Sequence, residues 1–239
     1  MKRFWDTASI EPTETGYTIL LDGRAMHLPG GAVLRVEAEP LANAIAGEWQ
    51  AAGGGKGGEM SFADTPLTRL AGTAQQRIAP DPAPTVDAIA RYAESDLLCY
   101  RAETPEELVA RQMYAWQPWL DWAASAYDAP LRVGSGIGYV RQHRGSVAAL
   151  RGAVAALDVA ALAALGVAVP ALGSLVLGLA MVAGRLDAST AHALGALDEL
   201  FQVEAWGEDA EAAARRAAIA ADVHLAARFL QLTRPAASA

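Results

Sequence analysis

The chain has 239 residues, 53% hydrophobic and 19% charged, with a formal net charge of −8. That length supports one large domain or two small ones around a substantial core, and an apolar fraction dominated by alanine favours helix. An acidic chain with scattered Lys and Arg argues against a nucleic-acid interface, which needs clustered cations to displace counterions.

The first forty residues read as β. Residues 17–21 form a strand-like run, and Asp22-Gly23 after it is a hairpin signal, because both turn residues must tolerate positive φ. A second arm is expected at 24–28, a turn at Pro29-Gly30-Gly31 and another strand at 33–36. A helix follows, opened by Pro40 and striped by Leu41, Ile45 and Trp49, which places Trp49 in the core. Gly53-Gly54-Gly55-Lys56-Gly57-Gly58 reads as a flexible surface loop rather than a phosphate loop: no Ser or Thr follows the lysine and no strand runs into it. Asp81-Pro82-Ala83-Pro84 breaks the pattern. The expected fold is therefore α+β, with a small β-rich N-terminal domain over 1–80 and a larger all-helical domain over 81–239.

Beyond the break, Thr104-Pro105-Glu106-Glu107 predicts a capping box with Thr104 as cap, opening a helix to about Tyr127. Trp116, Trp119 and Trp122 on it are expected in the core, with a stacking platform as the alternative. Further helices are expected at 146–157, 159–165, 171–183, 188–205 and 208–232, with Ser146 and Asp187 as caps. The uncharged stretch between Asp158 and Arg185 is long enough for a membrane span. Pro170 and four glycines interrupt it, so two buried helices meeting at Pro170 are expected instead. The lone Cys99, among apolar neighbours, reads as a buried structural thiol. The opening Met1-Lys2-Arg3-Phe4-Trp5-Asp6 lacks the apolar core of a signal peptide, so a bacterial cytoplasmic protein, or a mature form already trimmed, is expected.

Chemical signatures are sparse. Gly134-Ser135-Gly136-Ile137-Gly138 is one residue short of a dinucleotide fingerprint and has no β-α-β setting. His27, His143, His192 and His224 lie far apart without ligand spacing, so no metal or other cofactor is expected. One polar cluster stands out: Asp198, Glu199, Gln202, Glu204, Trp206, Gly207, Glu208 and Asp209. Asp198 and Gln202 share a helix face with Glu199 beside them. Two carboxylates could perform acid–base chemistry in a small helical enzyme. They could equally mark a helix end at Gly207, with Glu208 and Asp209 favouring the positive start of the next helix. Arg215 and Arg216 read as a solvated helix face.

Segments spread along nearly the whole chain resemble the ATP-twelve chaperone family. They are Lys2-Arg3-Phe4-Trp5, Leu21-Asp22-Gly23-Arg24, Ala44-Ile45-Ala46-Gly47-Glu48-Trp49, Pro66-Leu67-Thr68-Arg69-Leu70 and Asp96-Leu97-Leu98-Cys99-Tyr100-Arg101. The latter half adds Gly173-Ser174-Leu175-Val176-Leu177, Leu197-Asp198-Glu199, Phe201-Gln202 and Trp206-Gly207-Glu208-Asp209. The glycine-rich run 53–63 and the turn Leu28-Pro29-Gly30-Gly31 depart from the family pattern. The resemblance implies a non-enzymatic assembly chaperone that binds the unassembled alpha subunit of the catalytic sector of F-type ATP synthase and prevents its aggregation before it joins beta. It implies no cofactor, and the chain is expected to be monomeric. It also places the family's acidic helix-end segment on Asp198, Glu199, Gln202 and Trp206, and these with the adjacent Glu208 and Asp209 are the expected partner-binding residues. The readings left open beside it are an enzyme using Asp198 and Glu199, and a generic oligomeric scaffold.

Overall fold

The computed structural model describes residues 1–234, and these divide into two compact units: 1–81 with the chain from Arg228 onward, and 82–227. In the first unit, strands Ala8–Thr13 (β1), Gly16–Leu21 (β2), Arg24–Ala25 (β3) and Arg35–Val36 (β4) form one antiparallel sheet around β2. Asp22 and Gly23 turn the chain with φ of 48° and 76°, as the Asp-Gly signal requires. The Asp22 carboxylate accepts from the Asp6 and Thr7 amides at 3.0 and 2.9 Å, and the Thr7 bond leads in holding its carboxyl below the usual range. The sheet differs from expectation at its edges. Ala8–Thr13 adds a strand that the expectation lacks: Ala8, Ile10 and Pro12 alternate only weakly with polar residues, Pro12 argues against a strand, and most of its residues are exposed. The arms expected over 24–28 and 33–36 shrink to two paired residues each, continued by a bridge between His27 and Val33.

Helix Glu39–Ala51 (α1) packs its Leu41, Ile45 and Trp49 stripe inward, so Trp49 is a core residue as expected. Its indole lies 5.0 Å from that of fully buried Trp5, whose Nε1 donates to the Trp49 carbonyl. Glu48 reaches the start of helix Pro66–Thr73 (α2), where Leu67 N and Thr68 N donate to its carboxylate at 2.8 and 3.2 Å. It thereby supplies the cap that Thr65 does not. Arg3, only 3% exposed, donates to four carbonyls: Trp5, Asp6, Gln50 and Ala52. Two of these close the C-terminal end of α1, where the helix dipole favours a cation.

The glycine-rich run is not a free linker. Gly57 N donates to the Arg3 carbonyl and Arg3 N to that of Gly58, while Gly53, Gly54 and Gly57 adopt positive φ. A Cβ at Gly58 would run into the Gly53 carbonyl, so tight closure over the N-terminal segment dictates the composition.

The second unit contains Ala83–Ala90 (α3), Tyr100–Arg101 (β5), Glu106–Tyr127 (α4), Gly134–Ser135 (β6), Arg144–Ala155 (α5), Val159–Leu172 (α6), Leu175–Val182 (α7), Ala188–Gly195 (α8) and Leu197–Trp206 (α9). Ala210–Thr233 (α10) starts in it. The α+β class holds, although β5 and β6 pair in parallel, so this part is not wholly helical. Helices α6 and α7 are apolar all round, and most of α6 and nearly all of α7 is buried, which marks them as the central layer. A Cβ at Gly178 would meet Val169 at 2.6 Å, so glycine there allows their close approach. The helices do not meet at Pro170: α6 runs through it and stops at Gly173, whose φ is 64°. Pro170 lies in the last turn, where its missing N–H forfeits one ladder bond close to the helix end. No helix of the described residues is long and apolar enough to cross a membrane.

Other termini also differ from expectation. Pro105, not Thr104, is the N-cap of α4, and no side-chain cap forms there. His143 caps α5 through its bond from Gly145 N, while Ser146 lies inside the helix and donates to the Pro130 carbonyl. Asp187 caps α8 as expected. The helix expected over 188–205 breaks at Ala196, and Gly195 before it sits against Leu172, where a side chain would be crowded at 3.2 Å. Cys99 is fully buried, and burial pushes its thiol up to about 12.

Asp96, fully buried, accepts from Ser174 Oγ at 2.8 Å, Val176 N at 3.0 Å and Leu98 N at 3.1 Å, joining a 3-10 turn to the start of α7. Burial pushes its carboxyl up to about 6, against the pull of those hydrogen bonds. Because the folded state holds this proton more tightly than the unfolded chain, Asp96 makes stability fall as pH rises from about 4 to about 6. Urea denaturation at pH 4.5 and 7.5 should reveal this contribution, of order 2 kcal/mol, as a slope that Asp96→Asn removes; an unchanged slope in the variant contradicts it. Arg3→Met should destabilise by about 3 kcal/mol, since it strands buried carbonyls. Arg3→Lys should recover only part, because an ammonium cannot span the same fork; full recovery in a denaturant melt would contradict that geometry.

Candidate functional site

All six predicted site residues lie on α9 or between it and α10, in the second unit. Helix α9 opens with Asp198 and Glu199 in its first turn, where the positive end of the dipole favours carboxylates. Gly207, with φ of 89°, stops it. Asp209 caps α10, accepting from Ala212 N at 2.8 Å. The helix-end reading of the cluster is therefore correct for Gly207 and Asp209.

The carboxylates are not idle. Asp198 accepts at 2.7 Å from Gln112 Nε2 of α4. Gln112 is 1% exposed, and its Oε1 takes the Ala102 amide at 2.8 Å. Its backbone carbonyl accepts from the Arg101 guanidinium, which is stacked 5.1 Å over Trp116. Glu199 faces Arg215 and Arg216 of α10 at 3.6 Å each, and Glu208 holds Arg216 at 2.6 Å. Arg216 is buried, so only Arg215 of that pair fits the solvated face expected for both. Arg111 of α4 reaches both carboxylate oxygens of Glu204 at 2.8 Å and lies 5.1 Å over the Phe201 ring.

The structure thus separates the six residues by role. Asp198, Glu199 and Glu208 bind α9 to α4 and α10, and Asp209 caps the start of α10. Gln202 and Trp206 stand on the same face as Asp198, at four-residue spacing, and both are exposed; the indole of Trp206 is 81% exposed. An exposed tryptophan with a polar rim is of the kind enriched at the energetic centres of protein interfaces. Sequence reading missed Arg111 and Gln112, the α4 half of this arrangement. They are more than 80 residues from α9, and nothing in their local pattern pointed to it.

The tryptophans of α4 divide likewise. Trp116 is fully buried, with its Nε1 donating to the Leu194 carbonyl, whereas Trp119 and Trp122 are half-buried. Met113 and Tyr114 are exposed, and with Trp119 and Leu194 they line a shallow apolar depression.

Stability should follow the same division. Gln112→Leu should cost about 2 kcal/mol, because it orphans the Ala102 amide and removes the tie to Asp198, while the backbone carbonyl that Arg101 uses is kept. Trp206→Ala should change stability by less than about 0.5 kcal/mol. Equal losses from the two variants in thermal or urea melts would contradict the assignment.

Residues 2–124 match the family model described as ATP12 chaperone protein. The chain is similar over 98% of its length to the crystal structure of Atp12 from Paracoccus denitrificans, with 43% identity, a TM-score of 0.90 and 98% of that chain covered. A point mutant of the same Paracoccus protein matches equally well. Atu1473 from Agrobacterium tumefaciens, a candidate chaperone, matches at 36% identity and TM-score 0.89, over 98% of this chain and 86% of that one. Identity at this level along the whole chain, carried by both units, makes this protein a member of the ATP12 chaperone family.

Proposed function

We propose that this chain is an assembly chaperone for the alpha subunit of the catalytic sector of F-type ATP synthase, holding that subunit before it joins beta. The observation that carries the reading is family membership along the full chain, which supports a chaperone role and hence a protein partner. The alpha subunit as that partner follows from the family resemblance. An unassembled ring subunit exposes the surface its neighbour will later cover, and such surfaces aggregate. A monomeric binder in the bacterial cytoplasm that covers part of this surface, and is displaced by beta, meets the need without cofactor or turnover.

The proposed contact is α9 and the turn after it. Trp206 and Gln202 offer the free apolar and amide groups. Asp198, Glu199, Glu208 and Asp209 set the local negative field, which suits a basic patch on the client. Because Asp198 and Glu199 also bind α9 to its neighbours, their variants must preserve the hydrogen bonds while removing charge. Asp198→Asn keeps the acceptor for Gln112, and Glu199→Gln keeps the side-chain size while giving up the ion pairs to Arg215 and Arg216.

The test follows light scattering as purified alpha subunit is diluted from denaturant. Equimolar chaperone should suppress aggregation, and added beta subunit should reverse the capture. Trp206→Ala should weaken suppression about tenfold or more at unchanged stability, and the charge-removing pair should weaken it less. If both variants suppress aggregation as well as the parent, α9 is not the client contact.

A further inference from the structure

The glycine-rich segment 134–138, which fits no nucleotide fingerprint, forms a different device. Ile137 is 107% exposed and Tyr139 68%, so the loop holds a bare aliphatic and a bare aromatic side chain in solvent. Its base is tied on both sides. The buried side chain of Gln142 accepts from Arg132 N at 2.8 Å and donates to the Arg132 carbonyl at 2.9 Å, closing the segment as a strand pair would. On the other side β6 pairs with β5, and Gly136 N donates to the Arg101 carbonyl at 2.9 Å. Gly136 has φ of 78°, and a Cβ at Gly134 would collide with Val140. The glycines thus set the loop's course.

The neck of this loop is basic in an otherwise acidic protein. Arg132, Arg141 and Arg144 are exposed, and none of the ion pairs found among the described residues involves them. Glu103, against Gly136, is the carboxylate that faces the loop. Apolar side chains on a pre-closed loop lose little further entropy when a partner covers them. Cations around them select the charge of the rim they enter.

We propose that the 132–142 loop is a second client-binding element, inserting Ile137 and Tyr139 into an apolar recess rimmed by carboxylates on the unassembled subunit. This rests on the client reading above. It assigns the client two chemically opposite contacts, an acidic one at α9 and a basic, apolar one here. A protein recess is favoured over an anionic membrane because the apolar tip is only two side chains deep and the whole chain carries a charge of −8.

The test attaches an environment-sensitive fluorophore through Gly138→Cys, a position with open space around it. Cys99 stays unlabelled because it is buried. Titration with purified alpha subunit should shift the emission to the blue. In unlabelled protein, Ile137→Ser with Tyr139→Ser should weaken binding on the order of tenfold at an unchanged denaturation midpoint. Arg132→Glu with Arg141→Glu should weaken it and flatten its salt dependence. Normal binding by the serine variant, or binding without an emission change, overturns the loop proposal and leaves the client reading standing. Failure of the parent to bind alpha subunit overturns both. An emission shift with phosphatidylglycerol vesicles but not with alpha subunit assigns the loop to a membrane surface and also overturns the proposal.

Discussion

Asp96 is a carboxylate taken fully out of water, and the organisation of the second unit depends on how it is satisfied. It receives donors from Leu98, Ser174 and Val176, while Leu97 N donates to the Gly173 carbonyl, so the start of α7 is clamped to the segment 96–99. That segment leads directly to Arg101 and Ala102, whose bonds to Gln112 fix α4. Gln112 in turn reaches Asp198 of α9. The same stretch provides β5, the root of the 132–142 loop. One short segment therefore sets both proposed contact surfaces. A buried unpaired charge at its head is tolerated because three donors replace the water it loses.

The first unit solves the converse problem in a similar way. Arg3 is buried with no carboxylate beside it, and its guanidinium is satisfied by carbonyls at the end of α1 and along the N-terminal segment. The glycine-rich run closes over the same segment by pairing with Arg3's backbone. In each unit a charged side chain is held by neutral hydrogen-bonding groups, mostly backbone, rather than by an opposite charge, which ties helix ends to chain segments remote in sequence.

Much of this was legible in the sequence where local chemistry decides. Asp22-Gly23, the α1 stripe, the Asp187 cap and the apolar centre of the chain all form as their residues require. The failures have physical causes. Ala8–Thr13 is an edge strand whose apolar positions, Ala8, Ile10 and Pro12, include one large apolar side chain and a proline, so its alternation is too weak to mark it. Pro170 was read as a break, yet in a last turn it removes little. Thr104 and Ser146 look like caps, but cap identity depends on where the chain enters the helix, which tertiary contacts set. At the candidate site, the acidic residues of α9 could be picked out from sequence. Their partners Arg111, Gln112 and Arg216 could not, because those contacts exist only once the helices pack.

A chaperone that must bind and then release a subunit benefits from contacts that are few, exposed and mounted on a rigid support. Trp206 at the end of α9 meets that description, with a framework of paired charges behind it. The central claim, that the client is the unassembled alpha subunit, is tested most directly by tagging this protein in its own host and capturing it gently while ATP synthase is being made. The account predicts that alpha subunit is recovered without beta. Recovery of assembled alpha–beta ring alone, or of no alpha subunit at all, would contradict it.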